Sequence, residues 1–303
     1  MPEDQSHDGS LWNQQFSNLL TYFNWEYVGD ADFDILTEED KARGIDRLFT
    51  LENPYKKNKE LCMLESKRYA LTSFNKGKIG EWAKTLEDKI TKIKNSENLY
   101  ELYPQLEGIN FHQGIVAIWC PEQENIKAFN KRFIDGLEDA DIGSKHSKSM
   151  NKLFFLDNKR ISRLVSMIIA IKEINTQTTK KKFNFYYHGN KDYASCRSHT
   201  LLPSYMIGKF ILGDYSDENN TENKVVFYFG ILNLVSFKLL RSALSELSYT
   251  DQDKPLHIYY YLNEDDSNFR KILPEIKKEY EGLDVKFIEM EHVSKIPTFL
   301  KNS

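Results

Sequence analysis

LCMLESKRYA, Leu61 to Ala70, reads as a buried strand dense in Leu, Met and Cys, yet Glu65 and Lys67 interrupt it. Burying an unpaired ion costs on the order of several kcal/mol, so two charges in such a strand call for a partner or a purpose. The period of 2 along a strand aims both at the same face of the sheet. Glu-x-Lys occurs five times in the chain, at Glu39/Lys41, Glu65/Lys67, Glu87/Lys89, Glu222/Lys224 and Glu275/Lys277. Four of these lie in polar loops or on helices with a solvent-facing side; only Glu65 and Lys67 sit inside an apolar strand.

One hairpin upstream, GIDRLF places Asp46 at the edge of a second apolar strand, Ile45 to Leu51. The intervening ENPYKKNKE has the Asn, Pro and Lys content of a hairpin loop. Antiparallel pairing of the two strands brings Asp46 close to Glu65. Two converging carboxylates repel unless a cation joins them, and hard oxygen ligands with positions left for water suit Mg²⁺ or Mn²⁺. A lysine beside such an ion can stabilise charge developing on a phosphoryl group or orient a water for attack.

The surrounding order is helix, three strands, helix, strand. LWNQQFSNLLTYF, Leu11 to Phe23, has helical apolar spacing and is broken by Asn24; WEYVG is a short strand, joined by the acid-rich DADFDILTEEDKARG to the strand of Asp46. GEWAKTLEDKITKI, Gly80 to Ile93, is an amphipathic helix, and GINFHQGIVAIWC a fourth strand. Further on come a helix over Glu124 to Leu137, a polar loop DADIGSKHSKSMNK, a strand KLFFLDN and an apolar helix over Arg160 to Ile174. The polar run Asn175 to Lys182 is the candidate domain connection. Beyond it KVVFYFG, PLHIYYYL and VKFIEME alternate with helices over Leu234 to Leu247 and Ser267 to Tyr280, as in parallel α/β packing. No glycine-rich phosphate loop follows any of these strands, which argues against a nucleotide site there.

This pattern, with Asp on the second strand and E-x-K on the third, resembles the PD-(D/E)XK superfamily of restriction-endonuclease-like nucleases, over roughly residues 10 to 120 and as far as 175. The resemblance implies an α/β fold with a restriction-endonuclease-like mixed-sheet core flanked by helices, over residues 1–175. It leaves the last third unexplained, and the strand-helix alternation there reads as a C-terminal α/β domain over 176–303, for partner binding or target sensing. The resemblance further implies a Mg²⁺- or Mn²⁺-dependent endonuclease acting on DNA, with Asp46, Glu65 and the Ser66 carbonyl on the metal and Lys67 acting on the water. The proline of the family name is replaced by Ile45. Many members carry an acidic residue on the first helix where this chain offers Gln14, Gln15 and Asn18, so the site is expected to rely on Asp46 and Glu65, with Gln15 and Gln113 as accessory candidates. More loosely, the whole chain resembles nuclease subunits of multi-gene bacterial anti-phage defence systems, which implies a second protein subunit or a homo-oligomer.

Composition neither requires nor excludes this. The 303 residues are 40% hydrophobic and 28% charged with a formal net charge of −4, so no global basic field advertises a polyanion, although a local patch is sufficient. No apolar run of about 18 residues is present and the N-terminus is acidic, which predicts a cytoplasmic protein without membrane contact. Cys62, Cys120 and Cys196 are too few and too scattered for a disulfide framework.

Bland readings stand beside these. Asp46, Glu65 and Lys67 can instead form a structural ion-pair network in a non-catalytic nuclease-fold subunit that binds DNA or a protein partner. Glu26, Asp30, Asp32 and Asp34 offer extra ligands near the first strand, against the ordinary solvated acidic loop. Lys56, Lys57 and Lys59 on the hairpin, and Lys84, Lys89, Lys92 and Lys94 on the following helix, are phosphate-contact candidates or plain surface lysines. Tyr69 packs against substrate or core. Cys196 and His199 form a single C-x-x-H pair within a stretch that also holds His188 and Asp192, short of the four ligands a structural zinc needs.

Overall fold

The structure, a computed structural model, describes residues 7–37, 39, 41–140, 151–176, 181–250, 254–263, 266, 268–293 and 300. The chain packs as two units: one runs to Ile161 and takes in Leu300, the other is Ser162–Val293.

The first unit contains α1 (His7–Thr21), β1 (Glu26–Val28), β2 (Phe33–Leu36), β3 (Ala42–Ile45), β4 (Arg47–Asn53), β5 (Asn58–Arg68), α2 (Gly77–Ile93), α3 (Glu97–Leu102), β6 (Asn110–Trp119), α4 (Ile126–Asp139) and β7 (Lys152–Leu156). Five strands form one mixed sheet in the order β1-β4-β5-β6-β7. β1 and β5 pair antiparallel with β4, while β5, β6 and β7 run parallel. The helix expected over Leu11 to Phe23 is α1, with Trp12, Phe16, Leu19 and Leu20 buried. Asn24 follows it in the left-handed region at φ 61°, a conformation asparagine adopts more readily than most residues.

β5 is the central strand, and its two faces meet different helices. Leu61 and Met63 share a core cluster with Ile79, Trp82, Leu86 and Ile90 of α2. Ser66, of opposite parity, donates from Oγ to Asn13 Oδ1 on α1 at 3.3 Å. Strand alternation therefore puts Glu65 and Lys67 together on the α2 side. Gly114 of β6 lets that helix come close: a Cβ there would stand 2.8 Å from Leu86 Cδ2 and 3.0 Å from Ile90 Cδ1.

Two departures from the sequence reading matter for the site. The acid-rich connection folds into the hairpin β2–β3, with Phe33 opposite Ile45 and Ile35 opposite Arg43. Ile35 and Ile45 are its buried anchors, and the intervening charges concealed their alternation. Asp46 then sits in a bend between β3 and β4 rather than within one strand from Ile45 to Leu51. The β4–β5 turn is also tighter than ENPYKKNKE implied, with Asn53 paired to Asn58.

The second unit begins within α5 (Asn158–Thr176), ahead of the polar run Asn175 to Lys182, of which residues 177–180 lie outside the described residues. It continues with β8 (Lys181–Tyr187), β9 (Cys196–Ser198), α6 (Pro203–Met206), β10 (Phe210–Ser216), β11 (Glu222–Tyr228), α7 (Leu234–Glu246), β12 (Leu256–Tyr260), α8 (Phe269–Glu279) and β13 (Val285–Glu289). The sheet order is β13-β12-β11-β10-β8-β9. The expected parallel series is present as β11, β12 and β13; the antiparallel β8, β9 and β10 extend it. Phe237, Leu240 and Leu244 of α7 and Ile276 of α8 close the core on one face. Among the described residues no helix is long and apolar enough to cross a membrane. The polar loop expected over Asp139 to Lys152 falls mostly on residues 141–150, outside those described.

Candidate active site

Asp46, Glu65, Ser66 and Lys67 line one cavity of about 400 Å³ in the first unit. Its lining also includes Asn13 from α1, Asp32 just ahead of β2, Asp34 on β2, Arg68 at the end of β5 and Lys89 from α2. The β4–β5 register pairs Arg47 with Leu64, and continuing it by one residue sets Asp46 against Glu65. There the ladder gives way to a side chain: the Ser66 N–H donates to Asp46 Oδ2 at 2.6 Å, so the bend at Asp46 holds its carboxylate against the β5 backbone.

Asn13 secures the bend from the other side. Its Nδ2 donates to the Asp46 carbonyl at 3.1 Å and to Asp32 Oδ1 at 3.0 Å, and the Asp32 N–H donates to the same carbonyl at 3.1 Å. The amide that α1 contributes is thus Asn13. Gln14 is exposed, Gln15 is buried, and Asn18 donates to the Leu300 carbonyl; none of the three lines the cavity.

Glu65 is held by two lysines. Lys67 Nζ lies 3.2 Å from Oε2 and Lys89 Nζ bonds Oε1. All three side chains are largely buried, 6% exposed for Glu65, 14% for Lys67 and 16% for Lys89. Among the described residues Asp46 makes no comparable ion pair. Burial, and after it the Glu65 carboxylate, push its carboxyl up to about 7, against the opposing pull of Lys67, the Ser66 N–H and Lys89.

The donor set bears on metal binding. Among the described residues no three His, Cys, Asp or Glu side chains are grouped to hold an ion. Asp46 and Glu65 are two carboxylates facing one polar cavity, and their mutual repulsion raises the Asp46 carboxyl. An all-oxygen pair with room for water fits a hard divalent cation of the Mg²⁺ kind, which keeps several waters and takes one or two carboxylates.

Other expected participants lie elsewhere. Gln113 pairs with Cys62 in the β5–β6 register and donates to Glu60 Oε2 at 3.2 Å, well down the strand from Glu65. Lys56, Lys57 and Lys59 are at the far end of the hairpin, about 20 Å away by strand rise, and Lys59 pairs with Glu26 at 2.6 Å. Tyr69 is core, its ring 5.2 Å from that of Trp82. His199 Nδ1 lies 3.1 Å from the Phe183 carbonyl oxygen, and no described group around Cys196 meets a metal's requirements.

Of four further wall residues, Asn13 escaped the sequence reading, while Asp32, Asp34 and Lys89 were candidates there set against a solvated loop or a plain surface lysine. Asn13 was hidden among four polar residues of one helix, although it is a polar residue within the inward-facing run. Asp32 and Asp34 were read as more readily belonging to a solvated loop. Lys89 was grouped with surface lysines, and the signal for it is its place beside Leu86 and Ile90 on the apolar stripe of α2.

A mixed sheet flanked by helices, with an aspartate entering one strand of a hairpin and E-x-K on the next, defines a restriction-endonuclease-like domain of the PD-(D/E)XK nuclease superfamily. Within it, the model described as the GAPS4 protein PD-(D/E)XK nuclease domain matches residues 1–160, and the chain belongs to that family. A search among curated proteins gave no match. The nuclease-type function and the dealings with nucleic acid that the sequence pattern implied rest on this membership.

Proposed function

We propose that the protein is a Mg²⁺-dependent endonuclease that hydrolyses phosphodiester bonds of DNA, in defence against phage or other foreign DNA in the cytoplasm. The observation that carries this reading is the convergence of Asp46, Glu65 and Lys67 on one cavity, with the Asp46 carboxyl raised to about 7 by burial and by the Glu65 carboxylate. Asp46, Glu65 and the Ser66 carbonyl would hold the ion. A divalent cation there supplies Lewis acidity at a phosphoryl oxygen and makes water easier to deprotonate. Lys67 stabilises the charge that builds on the phosphoryl group and orients the attacking water. Asn13 and the Ser66 N–H keep the Asp46 carboxylate oriented, so little reorganisation is needed when substrate arrives. Water adds to phosphorus as the bond to the leaving oxygen breaks; the water gives a proton to solvent and the leaving oxygen takes one up from solvent, leaving a phosphomonoester and a free hydroxyl.

Cleavage of plasmid or phage DNA in Mg²⁺, with and without any protein encoded beside this one, tests the proposal. Lys67→Ala is expected to lose activity by about 100-fold or more; equal cutting by wild type and variant would sink the mechanism.

The double grip on Glu65 favours a second reading, a non-catalytic nuclease-fold subunit in which Glu65 and its lysines are structural. A thermal shift with Mn²⁺ separates the two. Stabilisation that disappears in Glu65→Ala supports the enzyme; a metal-indifferent protein that unfolds on the same substitution supports the structural pair.

For the second unit we propose partner binding or target sensing, with a second subunit or another copy of the chain as partner. Supporting this, its buried Asp214 and Lys224 belong to a network with Arg197 and Glu222, in which Arg197 Nε lies 2.6 Å from Asp214 Oδ2.

A further inference from the structure

Lys89 stands outside the E-x-K pattern, on a different element from Lys67, yet both ammonium groups reach the same carboxylate. One lysine neutralises one glutamate. Withdrawing a second from water carries a desolvation cost, and among the described residues Lys89 has no acidic partner besides Glu65. A surface lysine on α2 had an easier alternative: Lys92, three residues further along the helix, pairs with Asp88 at 3.0 Å in half-exposed surroundings.

Its placement is not that of a sealed core ion either. Lys89, Glu65 and Lys67 line both the 400 Å³ cavity and a second cavity of about 200 Å³ shared with Trp82 and Thr85. The three groups therefore border open space rather than sealed core. Lys89 lies beside Leu86 and Ile90 on α2, both fully buried, and its own side chain is only 16% exposed, which limits the positions its head can take.

We infer that Lys89 is a further substrate-contacting residue of this site: it orients Glu65 and presents, with Lys67, a second positive charge to a phosphodiester. This rests on the nuclease reading. Two lysines facing an anionic group give it a charged seat where one would give a single point contact, and a head confined by α2 gives up little freedom on contact. Because Lys89 comes from α2 and Lys67 from β5, the seat depends on how that helix packs against the sheet.

The test compares the full-length wild type with Lys89→Met and Lys89→Arg in three measurements: Mg²⁺-dependent cleavage, binding of a fluorescent DNA duplex in Ca²⁺, and melting temperature in EDTA. We expect Lys89→Met to lower kcat by about 10-fold or more and to reduce the salt dependence of DNA binding by about one counter-ion, with melting little changed. Lys89→Arg, which keeps the charge, should recover the salt dependence. Should Lys89→Met fail to fold, Lys89→Gln, which keeps a donor beside Glu65, takes its place. A wild type that cuts DNA while the neutral variant cuts and binds it equally well overturns the inference and leaves the nuclease reading standing. Losses that follow the melting temperature and that Lys89→Arg does not repair overturn it too. A wild type that neither binds nor cuts DNA overturns the nuclease reading and the inference together.

Discussion

Asp46 carries the most consequential energy balance at the scale of single residues. Its carboxyl is raised from the ordinary value of 3.8 to about 7 by burial and by Glu65, so the folded protein holds a proton there that the unfolded chain releases. Such a group contributes stability in full below about pH 4, and the contribution is lost as pH rises through about 7. Without divalent cation, the protein is therefore expected to lose roughly 3 kcal/mol between these limits from this group alone. Asp46→Asn should flatten that segment of the profile, measured by denaturant unfolding in EDTA; an unchanged slope would show that Asp46 is not the group responsible. A divalent ion needs the ionised form, so its affinity should climb with pH below about 7 and level off above it. Isothermal titration with Mn²⁺ at several pH values reads this directly.

Among the elements, α2 and β6 set the distance on which Lys89 depends. Gly114 lets the helix approach: a Cβ there would meet Leu86 Cδ2 at 2.8 Å and Leu86 Cγ at 3.0 Å. Gly114→Val is expected to cost about 1–3 kcal/mol by overpacking, and to shift α2 enough to weaken the Lys89 contact with Glu65. Denaturant unfolding gives the first quantity. For the second, cleavage should fall further than the population of folded protein accounts for, and a fall that merely matches that population would contradict it. This glycine could not be interpreted from the sequence, where FHQGIVAIWC shows only an interrupted strand. The hairpin β2–β3 is a similar case: its buried Ile35 and Ile45 are legible as apolar residues, but five acids from Asp30 to Glu39 made the stretch look solvated.

At the scale of the whole molecule, each unit has a core of its own, around Leu61, Met63 and Leu86 in the first and around Val226, Phe237 and Ile258 in the second. Separate cores imply separable unfolding. Phe237→Ala removes a fully buried ring from the second unit and should cost about 3–5 kcal/mol there. Scanning calorimetry is expected to show one transition lowered and another retained, and Mn²⁺ should still shift the retained one. A single transition, lowered as a whole, would mean that the units unfold together.

Residue chemistry local to the chain was legible from the start: a helix, two hairpin strands, E-x-K in an apolar run, and Asp46 one hairpin away. Period and turn chemistry act over a few residues, and a two-strand register needs no distant partner, so these followed from the sequence alone. The gathering of Asn13, Asp32 and Lys89 around that pair was decided by tertiary packing. Asn13 lies 33 positions from the Asp46 carbonyl it binds and Lys89 24 positions from Glu65. Contacts across such separations depend on how the helices settle on the sheet, which is governed by the shapes of buried side chains and by a glycine on β6, and periodicity carries no record of either.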